Sequence, residues 1–180
     1  MSAFIKIGLI YGSTRAGRFC DKVAQWAGQM AAAAGFEVQA IDPAKITDDN
    51  ELQRRVGECD GFVIVTPEYN HGYPAPLKSL IDSIGAGWQA KPVAFVSYGG
   101  ISGGLRAVEQ LRLVFAELHT VTIRDSVSFA GAWEQFDGAG VLLQPERAER
   151  SMRTMLERLR WWALALNAAR TQTPYQTAAG

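Results

Sequence analysis

The stretch FIKIGLIYGSTRAGR, residues 4–18, joins an apolar run to a loop rich in glycine, hydroxyl and arginine side chains. The run up to Tyr11 has the length and continuous apolar character of a buried parallel strand. The loop after it holds two glycines, two hydroxyl side chains and two arginines, and it leads into a segment of helical period. A strand, a glycine-bearing loop and a helix start together favour an α/β domain with an anion site.

Outside this stretch, short apolar runs alternate with segments of helical period. The predicted strands are 4–11, 36–41, 61–66, 92–97 and 120–127. The predicted helices are 19–30, 47–56, 75–84, 105–118 and 145–168. Strict alternation of strand and helix implies a parallel sheet with helices on both faces. We therefore predict one doubly wound, three-layer α/β domain over residues 1–180, with a tail at 171–180 that frays.

Composition and charge indicate which partners and which compartment to expect. Acidic and basic residues balance at 18 each, so charge gives no indication of a nucleic-acid or membrane partner. Cys20 and Cys59 stand far apart and in no metal-like spacing, which favours a reducing compartment. No signal peptide is visible, and the longest apolar run, 161–166, is far shorter than the ~20 residues that span a bilayer. We expect a cytoplasmic protein without a metal site.

Three loops of unusual composition follow predicted strands one, three and four. They are YGSTRAGR at 11–18, PEYNHGYPAP at 67–76 and SYGGISGG at 97–104, whereas DPAKITD at 42–48 after strand two is plain. The carboxyl ends of parallel strands share one rim, where doubly wound folds bind their ligands. The sequence therefore predicts a binding site formed by these three loops.

The first loop can be compared with known phosphate-binding motifs. No GxGxxG follows the first strand, so the dinucleotide-binding fingerprint is absent. Gly12 and Gly17 have P-loop spacing, but Arg18 and Phe19 stand where a P-loop needs lysine and a magnesium-binding hydroxyl. A nucleotide hydrolase is thus the least favoured alternative. Backbone N–H groups, hydroxyls and arginines at a helix start suit a terminal phosphate, and the glycines at 99 and 100 suit a planar group.

The segments GSTRAGR, PEYNHGYPAPLKSLID and KPVAFVSYGGISGGLRAVEQLR resemble the NADPH-dependent FMN reductase family, which includes quinone, azo-dye and chromate reductases. The resemblance runs from about residue 4 to at least the fifth predicted strand. It implies a flavodoxin-like α/β/α sandwich whose five-stranded parallel sheet has the order 2-1-3-4-5. It also implies one FMN per subunit and a homodimer or homotetramer.

The resemblance further implies which residues bind the cofactor. The set expected at the FMN phosphate is Ser13, Arg15, Arg18 and Phe19. The set expected along the isoalloxazine ring is Pro67, Glu68, Tyr69, Asn70, Tyr98, Gly99 and Gly100. No catalytic side chain is expected, because the flavin carries the chemistry.

The implied reaction passes a hydride from NADPH or NADH through FMN to small acceptors such as quinones, azo compounds, chromate or free flavin. A flavodoxin-type electron carrier without a small-molecule substrate of its own is the alternative. Such carriers tend to be strongly acidic, whereas the formal net charge of this chain is zero.

Overall fold

The computed structural model of the chain describes residues 5–46 and 48–177. The strands are β1 (Lys6–Tyr11), β2 (Glu37–Ile41), β3 (Gly61–Pro67), β4 (Pro92–Gly99) and β5 (Val121–Ala130). The helices are α1 (Cys20–Ala33), α2 (Asp49–Gly57), α3 (Ala75–Asp82), α4 (Leu105–Glu117) and α5 (Pro145–Gln172). Every predicted element is present, and β5 continues three residues beyond its predicted end. The predicted starts at Phe4 and Thr47 lie outside the described residues.

The five strands form one parallel sheet in the order β2-β1-β3-β4-β5, which confirms the predicted topology. Strands β3 and β4 are buried along their whole length, because both faces are covered by helices. Strand β5 is an edge strand and alternates buried with more exposed positions. This order brings the carboxyl ends of β1, β3 and β4 together at the centre of the sheet.

The sheet separates two hydrophobic cores. Helices α1 and α5 pack on one face, where Val63 and Val65 point, and helices α2, α3 and α4 pack on the other, where Phe62 and Ile64 point. The alternation follows from the two-residue period of a strand. Fully burying an aliphatic or aromatic side chain contributes about 1.5–3 kcal/mol, so each core has a large share in stability.

Helical structure continues beyond the predicted end of the last helix. Helix α5 extends to Gln172, and a single 3-10 turn follows at Tyr175–Thr177. The Tyr175 hydroxyl lies 2.9 Å from His119 Nδ1, in the turn between α4 and β5. Residues 171–176 are all exposed, and the fraying of the tail at 171–180 stays a prediction. None of the described helices has the length and apolar character needed to cross a membrane.

Candidate functional site

The loops after β1, β3 and β4 contact one another at the rim. The Ser13 and Tyr69 hydroxyl oxygens lie 3.0 Å apart, and the guanidinium of Arg15 stacks 3.7 Å above the centroid of the Tyr69 ring. The backbone N–H of Glu68 donates to the Tyr98 carbonyl at 3.1 Å. The three predicted loops therefore form one continuous surface.

The β1 loop has the features of an anion-binding loop. Gly12 donates to the Val65 carbonyl at 2.7 Å, and a Cβ at Gly12 would lie 2.7 Å from that same oxygen, so only glycine fits. The backbone N–H groups of Thr14, Ala16 and Gly17 meet no acceptor within residues 5–46 and 48–177. N–H groups without a protein partner in a loop before a helix favour the binding of an anion. These donors fit a phosphate group.

Two of the predicted phosphate-binding side chains lie at this loop. Ser13 is fully buried beneath Tyr69, and its hydroxyl accepts a long hydrogen bond from the Arg15 N–H at 3.5 Å. Arg15 is exposed, with its guanidinium on the Tyr69 ring. Tyr69, predicted along the flavin ring, thus has its side chain at the anion loop.

The Arg18 side chain is paired with two acidic side chains. Its Nη1 and Nη2 lie 2.8 and 2.5 Å from the two carboxylate oxygens of Asp42, and its Nε lies 2.7 Å from Asp21. Burial opposes ionisation of Asp42, but the hydrogen bonds from Arg18 and the Ala44 N–H outweigh it and lower the pKa of this carboxyl. Arg18 is thus paired with two carboxylates, and its expected place at the FMN phosphate stays a prediction.

Asp42 contacts the loop after β1 through Arg18, and it was not among the predicted residues. It is the first residue after β2, in a loop whose composition is plain. The position of Asp42 in the predicted sheet could have indicated this contact. Strand β2 lies beside β1, so an acidic residue at the carboxyl end of β2 faces the arginine-bearing loop after β1.

Phe19 and Tyr98 pack inside the domain. The Phe19 ring lies 5.7 Å from Tyr98 and 5.6 Å from Phe136, so it contacts aromatic side chains beneath the loop. Tyr98 is 3% exposed and belongs to the core on the α1 face. Burial and the adjacent Cys20 thiol raise the pKa of Tyr98. Ala94, Val96 and Tyr98 share one buried face of β4, so the Tyr98 ring faces the core, and the expected place of Tyr98 along the isoalloxazine stays a prediction.

The β3 loop contains a tight turn. Tyr69 and Gly72 exchange backbone hydrogen bonds of 2.9 and 3.0 Å. Asn70 and His71 between them have φ values of 50° and 69°, the signature of a type I′ turn. Gln110 of α4 donates to the His71 carbonyl at 3.0 Å. Asn70 is therefore exposed at the rim on a fixed backbone.

The two residues before this turn face inward. Pro67 is the buried last residue of β3. The Glu68 side chain is 4% exposed and reaches α4, where Oε2 accepts the Arg106 N–H at 3.1 Å and Oε1 lies 2.5 Å from the Arg106 Nε. Burial opposes ionisation of Glu68, but Arg106 outweighs it and lowers the pKa of this carboxyl. Both residues support the rim from below.

The β4 loop is fixed at its far end. Gly103 and Gly104 have φ values of 60° and 85°. The Gly103 carbonyl accepts hydrogen bonds from Ser97 Oγ at 2.8 Å and Ser128 Oγ at 2.9 Å. A side chain at Gly104 would lie 2.8 Å from the Ser97 Cβ. These glycines are therefore required by packing.

Gly99 and Gly100 differ in what surrounds them. Gly99 is buried, and a Cβ there would lie 3.4 Å from the Gly104 nitrogen. Gly100 is exposed, and a Cβ there would meet nothing within 4 Å among the described residues. Of the two glycines predicted to border a planar ligand, Gly100 is the one with an open surface. Across the described ranges, no cluster of three or more His, Cys, Asp or Glu side chains could hold a metal ion.

The fold defines a class: the chain is a flavodoxin-like α/β/α domain, and its glycine-bearing and polar loops lie at the carboxyl ends of the central strands. The sequence profile of the NADPH-dependent FMN reductase family matches residues 5–134. The chain belongs to that family, and the resemblance inferred from its three motifs is confirmed.

Several known proteins are similar to this chain. It is 36% identical to the NAD(P)H-dependent FMN reductase C4B3.06c of Schizosaccharomyces pombe in an alignment 120 residues long, which covers 55% of this chain and 60% of that relative. It is 34% identical to the NAD(P)H-dependent FMN reductase LOT6 of Saccharomyces cerevisiae in an alignment 140 residues long, which covers 61% of this chain and 73% of that relative. The aligned part thus spans about three fifths of the fission yeast relative.

Solved structures share the fold. FerB, a flavoenzyme NAD(P)H:(acceptor) oxidoreductase from Paracoccus denitrificans, superimposes with a TM-score of 0.74 at 19% identity, covering 89% of this chain and 98% of its own. A cysteine mutant of flavodoxin from Pseudomonas aeruginosa gives a TM-score of 0.63 at 22% identity, covering 87% of this chain and 99% of its own. At these identities the similarity supports the fold alone.

Proposed function

We propose that this chain binds FMN at its carboxyl rim and acts as an NAD(P)H oxidoreductase on small acceptors, such as quinones, azo compounds, chromate or free flavin. The observation that carries the proposal is the anion loop, where the N–H groups of Thr14, Ala16 and Gly17 have no acceptor in the described chain. Family membership supports FMN as the ligand. NADPH and NADH are both candidate hydride donors.

Different residues of the rim bind the phosphate and the isoalloxazine ring of the cofactor. The loop N–H groups and the Arg15 guanidinium bind the phosphate through charge-assisted hydrogen bonds, and the buried Ser13 hydroxyl joins them when the Tyr69 hydroxyl moves away from it. Gly100 and Asn70 border the space for the isoalloxazine ring, since Gly100 presents bare backbone and Asn70 is exposed on a fixed turn. When bound, FMN would supply the hydride chemistry that the side chains of the rim lack.

The test is anaerobic mixing of FMN-loaded protein with NADPH or NADH, followed by a panel of acceptors. We expect the reduced nicotinamide to bleach the yellow flavin absorbance and a quinone to restore it. Protein that takes up no FMN would contradict the assignment of the cofactor. FMN-loaded protein that both nicotinamides reduce only slowly would instead support a flavodoxin-type electron carrier.

A homodimer or homotetramer in the cytoplasm is part of the same proposal. Trp161 and Leu164 on α5 are exposed apolar side chains one helical turn apart, which supports an interface between subunits on this helix. Sedimentation of the wild-type chain beside a Trp161→Glu variant would check this, and we expect the variant to shift towards monomer.

A further inference from the structure

The ion pair between Arg18 and Asp42 closes the anion loop from beneath. Arg18 is near the end of the loop, and Asp42 is the first residue after the neighbouring strand β2. Their side chains are 6% and 7% exposed, and they meet in a bidentate arrangement. The Nη1 of Arg18 also donates to the carbonyl oxygen of Ser13, at the opposite end of the loop. One guanidinium therefore ties both ends of the loop to β2.

This contact fixes the direction of a neighbouring N–H group. In a planar trans peptide, the carbonyl and the following N–H point in opposite directions. Because the Ser13 carbonyl points at Arg18 beneath the loop, the N–H of Thr14 is directed away from Arg18. That N–H meets no acceptor within the described residues. It is thus presented to the open side of the loop, where an anion would lie.

We propose that Arg18 and Asp42 are positioning residues, which hold the peptide between Ser13 and Thr14 so that the loop N–H groups face the phosphate of bound FMN. The inference rests on the proposed function, because it takes FMN as the ligand. Asp42 and Asp21 together carry more negative charge than Arg18 carries positive charge, so the contribution of Arg18 is orientation and not net attraction. Direct phosphate binding by Arg18 is the competing role.

Asp42→Asn separates the two roles because they predict opposite effects on FMN affinity. Loss of positioning raises the FMN Kd about ten- to a hundredfold, the range of one charge-assisted hydrogen bond. Direct binding predicts an unchanged or lower Kd, because Arg18 would be released towards the phosphate. Riboflavin lacks the phosphate, so its Kd stays within about twofold of the wild-type value. Both constants are measured by quenching of flavin fluorescence.

Arg18→Lys is the second variant, so that the test does not depend on the folding of one protein. Lysine keeps the positive charge but lacks the planar fork that spans Asp42 and Ser13, and we expect the same selective loss of FMN. The phosphorus NMR signal of bound FMN should shift in both variants. It should not shift in Glu58→Gln, the matched control, which breaks the exposed Arg54–Glu58 pair.

Two results would overturn the inference while leaving the proposed function intact. One is an unchanged FMN Kd in both variants. The other is an equal loss of FMN and riboflavin, which would mean that the pair only supports the fold. Wild-type protein that binds neither flavin would overturn the proposed function itself, and the positioning role with it.

Discussion

Glu68, next to the end of β3, accepts hydrogen bonds from both the backbone and the side chain of Arg106 in the first turn of α4. A carboxylate at this place satisfies a helix N–H group that has no partner inside the helix, and its charge complements the helix dipole. The contact joins the loops after β3 and β4, which face each other across the rim. It therefore helps to fix the spacing between these two loops, which border the proposed site of the isoalloxazine ring.

Glu68→Gln should lower the free energy of unfolding by about 1–3 kcal/mol, because the buried Glu68 carboxylate loses the charge that strengthens its hydrogen bonds to the partly exposed Arg106. Urea denaturation measures this. Asp82→Asn is the matched control, since it breaks the exposed Lys78–Asp82 pair, whose contribution is about 0–1 kcal/mol. Equal effects of the two substitutions would show that Glu68 does not support the rim.

Gly104→Ala should lower the stability of the protein, whereas Gly100→Ala should leave its stability almost unchanged. A Cβ at Gly104 would lie 2.8 Å from the Ser97 Cβ at a φ of 85°, so we expect a loss of about 1–3 kcal/mol in stability. A Cβ at Gly100 meets no described atom within 4 Å, so stability should change by under about 0.5 kcal/mol. Thermal unfolding of both variants gives the comparison.

Gly100→Ala should nevertheless weaken FMN binding, because its methyl group would enter the space proposed for the ring. Titration of the variant with FMN measures the affinity. An unchanged Kd would mean that the ring does not approach Gly100.

Arg15→Ala should raise the FMN Kd about tenfold and leave the riboflavin Kd unchanged, because the exposed guanidinium is proposed to bind only the phosphate. Arg124→Ala, on the edge strand with a side chain that is 90% exposed, is the control for a lost surface charge. Fluorescence titration of both flavins separates the outcomes. If riboflavin weakened equally, Arg15 would be acting by holding the Tyr69 ring and not by binding phosphate.

Lys91 should make stability rise with pH in the alkaline range. Its Nζ donates to the Val56 and Gly57 carbonyls at 2.9 Å, and burial, assisted by Arg170, lowers the pKa of Lys91 to about 8. An unfolded lysine has a pKa of about 10.4, so between these values the unfolded chain binds more protons and stability increases with pH.

The whole effect of Lys91 is on the order of 3 kcal/mol. Urea unfolding of the wild-type chain and of Lys91→Met across this window measures it, because the variant retains every other titrating group. The wild-type curve should rise relative to that of the variant. Parallel curves would show that Lys91 ionises normally in the folded state.

The sequence was sufficient to predict the fold because its strands are unusually clear. All seven residues of β3 are buried, and such a continuous apolar run has few other interpretations. The meeting of three loops at one rim followed from the parallel order of the strands alone. The two-residue period of β4 could also have placed Tyr98 in the core, on the same face as Ala94 and Val96.

The partners of individual side chains were less accessible to prediction. Arg18 and Asp42 are 24 positions apart, and their contact depends on β2 lying beside β1. A guanidinium in a loop before a helix suits a phosphate and a carboxylate equally well, so residue type could not decide between them. The contact between Tyr175 and His119 likewise joins distant parts of the chain.

The type I′ turn at Tyr69–Gly72 affects the entropy of ligand binding. Fixing the backbone of one free residue costs about 1–2 kcal/mol, and a mobile loop must meet that cost when a ligand orders it. Here the cost is met during folding, since Tyr69 and Gly72 bond to each other and Gln110 holds the His71 carbonyl. A ligand that touches Asn70 therefore contacts a backbone that is already fixed. Little of the interaction energy is then lost in ordering the turn, and more of it contributes to affinity.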